Sequence, residues 1–125
     1  MKTKTIVSVL LVFCLWQNTS IAQRTIERVA HRGANRMAPE NTLASAALSL
    51  GVDFLEVDVR RSKDGVYFAI HDATLDRTTN GIGNFRDEES TFLKQLDAGS
   101  WFRHSFKGEH MPPLKNLSKN IKTHL

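Results

Sequence analysis

The side chains best suited to chemistry sit close together in the run Phe54 to Asp72, FLEVDVRRSKDGVYFAIHD. Phe54, Leu55, Val57 and Val59 alternate with Glu56, Asp58 and Arg60 at the two-residue period of a strand, so Glu56 and Asp58 project from one face. A strand rises about 3.3 Å per residue, which sets these carboxylates about 6.6 Å apart at the backbone, a spacing that one hard cation could bridge. Oxygen ligands without cysteine or a histidine pair suit Mg²⁺ or Ca²⁺ better than zinc. Lys63-Asp64-Gly65 then reads as a turn, and Val66 to Ile70 as a second apolar strand of a hairpin. With Asp64 and Gly65 as the central pair, Lys63 faces Val66 and Asp58 faces His71 on a shared face. Two acids and an imidazole converge there. Buried acids without a cation or a basic partner would be costly, so packing alone explains the cluster poorly.

Such a cluster needs elements to hold it. Thr25 to Ala30 reads as a short strand leading into His31-Arg32-Gly33, where Gly33 allows a sharp turn and a close backbone approach. Pro39-Glu40-Asn41-Thr42 opens a helix with Asn41 as N-cap and Glu40 at the positive end. Leu43, Ala46, Ala47 and Leu50 follow at helical spacing, and Gly51 is the stop. Strand, helix, strand in so short a span is a βαβ-like unit, which predicts parallel pairing of the His31 strand with the Glu56 strand. Their C-terminal ends then lie side by side, so that His31, Arg32, Glu56 and Asp58 share one rim.

The chain has 125 residues, 41% apolar and 24% charged, the composition of an ordinary folded domain. Lys2 and Lys4 precede the apolar run Ile6 to Trp16, and Ser20-Ile21-Ala22 places small residues where a signal peptidase reads them. Residues 1–22 are therefore expected to be a signal peptide cleaved after Ala22, and the protein to be exported to the periplasm or the extracellular space. A run of eleven residues falls short of the roughly 20 that span a membrane, so no stable membrane anchor is expected after cleavage. Cys14, the sole cysteine, would leave with the signal, excluding internal disulfides and a cysteine nucleophile. Losing two lysines reduces the seventeen basic residues to fifteen against thirteen acidic, too weak a surplus to argue for nucleic acid, and no basic stripe interleaved with aromatics occurs.

Beyond His71, Leu75 to Phe85 reads as a loop in which Asp76 and Arg77 could pair with each other, a structural rather than a catalytic role. Asp87 can cap a short helix through Leu96, with Phe92, Leu93 and Leu96 on one face and Gly99 ending it. Trp101, Phe102 and Phe106 read as packing residues, with a substrate wall as the alternative, and His104 and His110 as solvated. A last helix begins at Pro112-Pro113-Leu114 and carries Leu114, Leu117, Ile121 and Leu125 on one side.

His31-Arg32-Gly33, Pro39-Glu40-Asn41-Thr42, Glu56-Val57-Asp58-Val59, Lys63-Asp64-Gly65, His71-Asp72, Leu75-Asp76-Arg77-Thr78-Thr79-Asn80-Gly81 and Leu96-Asp97-Ala98-Gly99-Ser100-Trp101-Phe102 stand in an order and spacing that resembles the glycerophosphodiester phosphodiesterases, from about Val29 to Leu117. The resemblance implies an α/β fold, the N-terminal portion of a TIM-type (β/α)8 barrel with the start of a small inserted subdomain. It also implies hydrolysis of glycerophosphodiesters to glycerol 3-phosphate and an alcohol with one divalent cation, Ca²⁺ or Mg²⁺. By position it matches His31 and His71 to the acid/base pair, Arg32 to the phosphate contact, and Glu56 and Asp58 to two metal ligands.

The chemistry is consistent with those roles. An arginine and a hard cation stabilise the charge that phosphate oxygens gain during displacement, and two imidazoles can share the proton transfers. A neighbouring glycerol hydroxyl could attack first and give a cyclic phosphate. A full barrel takes about 250 residues, whereas 103 follow Ala22, so residues 23–125 are expected to be an incomplete domain, inactive alone. The family's third metal carboxylate is expected on a later strand. Two further readings are a related phospholipase-like lipid phosphodiesterase acting on membrane substrate, and a barrel that binds its ligand without turning it over.

Overall fold

A computed structural model describes residues 26–122. The expected signal peptide and its cleavage site lie outside these residues, as do Leu125 and the side chain of Ile121. Among the described residues no helix is long and apolar enough to cross a membrane.

The first sheet pairs β1 (Val29–Ala30) with β2 (Phe54–Leu55) in parallel, Val29 against Phe54 and Ala30 against Leu55, as the strand, helix, strand pattern predicts. Between them runs α1 (Leu43–Ala47). This helix is shorter than its apolar periodicity suggests and is capped by Thr42, not Asn41. The Thr42 hydroxyl accepts the Ser45 amide and the Ser45 hydroxyl accepts the Thr42 amide, each at 3.2 Å. Asn41 cannot be the cap because it sits at φ 58, in the left-handed region, and its side chain is used elsewhere. A second reinforcement comes from far along the chain, where Glu109 Oε1 accepts the Ala44 amide at 3.1 Å.

Strand character does not run unbroken through Glu56 and Asp58. β3 (Val59–Arg61) belongs to a second sheet, antiparallel to β4 (Tyr67–Ala69), so the two acids occupy the crossing between sheets. The Glu56 amide still donates to Ala30 O at 2.9 Å, but the Asp58 amide turns to Asn41 Oδ1 at 3.2 Å, which ends the first ladder.

The hairpin register differs by one residue from the expected one. Val59 faces Ala69, Arg60 faces Phe68 and Arg61 faces Tyr67, and the Ile70 amide donates to Asp58 O at 3.0 Å, so Asp58 lies opposite Ile70 and not His71. The cause is the turn. Ser62 pairs with Val66 around a three-residue loop, Lys63-Asp64-Gly65, in which Gly65 at φ 89 takes the left-handed position and Asp64 does not. The Ser62 hydroxyl locks the loop, donating to Asp64 Oδ1 (2.6 Å) and accepting the Val66 amide (2.9 Å).

Phe68, Ile70, Leu75, Phe85, Leu93, Leu96, Ala98 and Met111 form the main buried cluster. Phe68 and Phe85 meet edge to face at 5.9 Å. A smaller cluster of Ala46, Ala69 and Leu117 joins α1 and β4 to α3 (Leu114–Lys122). Between them, Asp87 belongs to a 3₁₀ turn (Phe85–Asp87) and does not cap α2 (Ser90–Leu93), a single helical turn. Instead Asp64 reaches across to α2, accepting the Ser90 amide (3.0 Å) and hydroxyl (2.6 Å). Trp101, Phe102 and Phe106 pack edge to face on one another. His104 and His110 are exposed, as expected, and His110 Nδ1 also donates to Leu96 O at 2.9 Å. On the sheets, Val29, Phe54, Val59 and Tyr67 remain exposed.

Candidate active site

Arg32 and Gly33 follow β1 with φ values of 53 and 78, two successive left-handed residues that reverse the chain at the strand end. The reversal aims the Arg32 amide at Glu56, whose Oε2 accepts it at 2.9 Å, while the Gly33 amide reaches Glu56 O at 3.2 Å. Gly33 is required twice over, since a Cβ there would collide with Ser45 Oγ.

The Arg32 side chain then crosses to the second acid, with Nε 3.2 Å from Asp58 Oδ2, and Nη1 donates to Glu40 Oε1 at 3.0 Å. Although Nε is within ion-pair distance of Asp58, it is buried and makes no aligned hydrogen bond. Asp58 is fixed by Asn41 instead, which donates Nδ2 to Oδ2 at 3.1 Å and accepts the Asp58 amide through Oδ1. His31 stands on the Glu56 side, with Nε2 4.0 Å from Glu56 Oε2 and Nδ1 3.1 Å from Asn35 Nδ2. Thus His31, Arg32, Glu56 and Asp58 do gather at one rim.

His71 reaches this group by a different route from the cross-strand pairing expected for it. Its Nδ1 lies 2.7 Å from Asp72 Oδ1, and its backbone oxygen accepts Arg60 Nε (2.8 Å) and Nη2 (2.6 Å). Arg77 takes Asp72 with one edge of its guanidinium, Nε to Oδ2 at 2.7 Å and Nη2 to Oδ1 at 2.9 Å. With the other edge it takes Glu40, Nη2 to Oε1 at 2.7 Å and Nη1 to Oε2 at 3.1 Å. Arg77 therefore pairs with Asp72 and Glu40 and not with Asp76, whose Oδ2 accepts the Gly83 amide at 3.3 Å. Glu40, Asn41 and His71 also line one small cavity of about 10 Å³, room for a single water.

These contacts set the charge states. Hydrogen bonds from Arg77 first and His71 second hold the Asp72 carboxyl well below the usual carboxylate range. Burial alone would raise Glu40, but Arg77 and Arg32 outweigh it and the net shift is downward. Arg77 is raised correspondingly, by Asp72 first and then Glu40. Because the ionised Asp72 can only accept, His71 Nδ1 carries the hydrogen of that contact. His31 Nδ1 faces the Asn35 side-chain amide, and its Nε2 lies on the Glu56 side.

Four carboxylates, Glu40, Glu56, Asp58 and Asp72, face two guanidiniums, Arg32 and Arg77. The carboxylates outnumber the guanidiniums by two, an excess of negative charge that a divalent cation would offset. Glu56 and Asp58 fit a hard cation in kind. In number they do not complete a site, since among the described residues no three of His, Cys, Asp and Glu come together to hold a metal ion.

Comparisons with known proteins bear on this arrangement. A glycerophosphodiester phosphodiesterase of Caldanaerobacter subterraneus subsp. tengcongensis is 48% identical over 95 residues, 74% of this chain and 39% of that protein. The crystal structure of glycerophosphodiester phosphodiesterase from Agrobacterium tumefaciens str. C58 superposes with a TM-score of 0.77 at 49% identity, over 80% of this chain and 44% of that one. An Oleispira antarctica phosphodiesterase, solved in complex with the product sn-glycerol-3-phosphate, gives 0.76 at 40% identity, over 79% and 41%. The chain thus spans less than half the length of each. The Glycerophosphoryl diester phosphodiesterase family profile matches residues 31–124, which include every side chain of the candidate site, and the chain belongs to that family.

Proposed function

We propose that this chain supplies the first part of the active site of an exported, metal-dependent phosphodiesterase that hydrolyses glycerophosphodiesters to glycerol 3-phosphate and an alcohol. The observation that carries the reading is the position of Arg32, held between Glu56 and Asp58 with His31 on the Glu56 side. The product bound to the Oleispira antarctica protein supports the substrate class.

In this reading Glu56 and Asp58 would hold one divalent cation, Ca²⁺ or Mg²⁺, which when bound would neutralise charge at the phosphate oxygens. Arg32 binds the phosphate through guanidinium hydrogens not used on Glu40. The two imidazoles divide the proton work. His71 Nε2 takes the proton of the attacking hydroxyl while Nδ1 stays on Asp72. His31 acts as the imidazolium, whose Nε2 gives its proton to the departing alkoxide as the bond from phosphorus to that oxygen breaks, leaving a neutral ring. A third carboxylate and the strands that close a barrel would come from outside the described residues, in keeping with relatives of which this chain covers less than half. Residues 23–125 alone are accordingly expected to show no turnover.

The test is an assay of the full-length protein on glycerophosphocholine with Mg²⁺ or Ca²⁺, before and after chelation. Metal-dependent release of glycerol 3-phosphate is expected. No release with either cation, or release unaffected by chelation, would overturn the reading.

A further inference from the structure

We infer that Asp72, Arg77 and Glu40 form a positioning clamp that sets the orientation and tautomer of His71 and ties it to the orientation of Arg32. The inference rests on the reading above for the roles of His71 and Arg32. None of the three clamp residues is assigned a role there.

The clamp runs without a gap from one reacting group to the other. His71 Nδ1 is 2.7 Å from Asp72, Asp72 is gripped by Nε and Nη2 of Arg77, Glu40 by Nη2 and Nη1, and Glu40 Oε1 also accepts Nη1 of Arg32 at 3.0 Å. Arg77 is the only described residue bonded to both Asp72 and Glu40. The planar guanidinium fixes the angle between the two carboxylates because each takes a different edge, an arrangement a lysine ammonium cannot reproduce. The parts come from separate places in the chain: Glu40 precedes α1, Asp72 follows β4, and Arg77 stands in the loop beyond.

A purely stabilising role explains these contacts poorly. The Arg77 side chain is 44% exposed, and an ion pair at that exposure adds little to stability. Four hydrogen bonds invested in a half-exposed arginine make better sense where direction matters more than energy. Partners of this kind fix the working tautomer of a histidine, and their removal typically costs about 10–100-fold in activity.

The experiment uses the full-length protein and three substitutions, Asp72→Asn, Arg77→Met and Glu40→Gln, with Arg77→Lys as the charge-conserving control. Turnover of glycerophosphocholine, thermal melting and side-chain ¹⁵N NMR of His71 are measured for each. Asp72→Asn is expected to lower kcat about 10–100-fold with KM little changed, and to shift the His71 ¹⁵N pattern away from a single Nδ1–H form. Arg77→Met should lower kcat with little change in melting temperature, and Arg77→Lys should not restore it. In the double variant Asp72→Asn/Glu40→Gln the losses should be less than multiplicative, because both act through Arg77.

Wild-type kcat in Arg77→Met, an unaltered His71 tautomer in Asp72→Asn, or a kcat loss that merely tracks a lower melting temperature would overturn the inference. If the unsubstituted protein showed no turnover, the functional reading would fail. The NMR comparison would still decide whether Asp72 and Arg77 fix the imidazole.

Discussion

Asn41 grips Asp58 at two points, donating Nδ2 to the carboxylate at 3.1 Å and accepting the Asp58 amide at 3.2 Å. It does so from a buried position at φ 58, a conformation that asparagine tolerates better than most residues. Asn41→Gly keeps the backbone unstrained and removes the grip. We expect a stability loss of about 1–3 kcal/mol from the orphaned Asp58 groups and a loss of about 10–100-fold in cation affinity. Calorimetric titration of the full-length protein with Mg²⁺ and Ca²⁺ checks this, and an unchanged affinity would show that Asn41 does not place Asp58.

Gly33→Ala should be among the most damaging single-carbon additions. The left-handed φ of 78 costs an L residue about 1–3 kcal/mol, and the new methyl would meet Ser45, whose hydroxyl bonds to Arg32 O at 3.2 Å. Relief requires α1 to move away from the Arg32 turn. Equilibrium denaturation measures the loss, and a stability within 0.5 kcal/mol of wild type, about the scatter of neutral surface changes, would contradict the account.

The proton roles proposed for His31 and His71 predict an asymmetry that depends on the leaving group. His31→Ala should cost about 10²–10⁴-fold on glycerophosphocholine but far less on a glycerophosphodiester that releases p-nitrophenol, which departs without protonation. His71→Ala should be equally slow on both. The reverse pattern in steady-state kinetics would exchange the two roles.

Asp64 makes a pH prediction with a definite sign. Hydrogen bonds from Ser62 and then Ser90 lower its pKa from 3.8 to about 2. A depressed carboxylate contributes stability that is fully present above 3.8 and is lost as the pH falls from there through about 2. Asp64→Asn should therefore be less stable than wild type at neutral pH and should show a shallower decline below pH 4. Denaturation curves collected across that window would give parallel profiles if Asp64 did not contribute.

What the sequence made legible was local or periodic. The parallel pairing of β1 with β2 follows from a strand, helix, strand pattern, and it alone brings His31 and Arg32 beside Glu56. The hairpin register was misread because Asp64-Gly65 suits a two-residue turn, whereas the Ser62 hydroxyl stabilises a three-residue one. Asn41 reads as an N-cap because asparagine caps well, but Thr42 does that work and frees Asn41 for Asp58. Arg77 departs furthest from expectation, since local spacing pairs it with Asp76 and the structure pairs it with Asp72 and Glu40. Its partner Glu40 is 37 residues away, and no spacing rule links a loop arginine to a carboxylate at that distance.

Arg32 serves Glu56 through its main chain and Asp58 and Glu40 through its side chain. Alanine scanning will therefore under-report this position, because truncation silences the guanidinium yet leaves the amide where the β1 turn put it. Only a proline, which has no N–H to offer, would release the first acid. Any residue accepted at position 32 in related chains inherits half of the job without contributing a single side-chain atom.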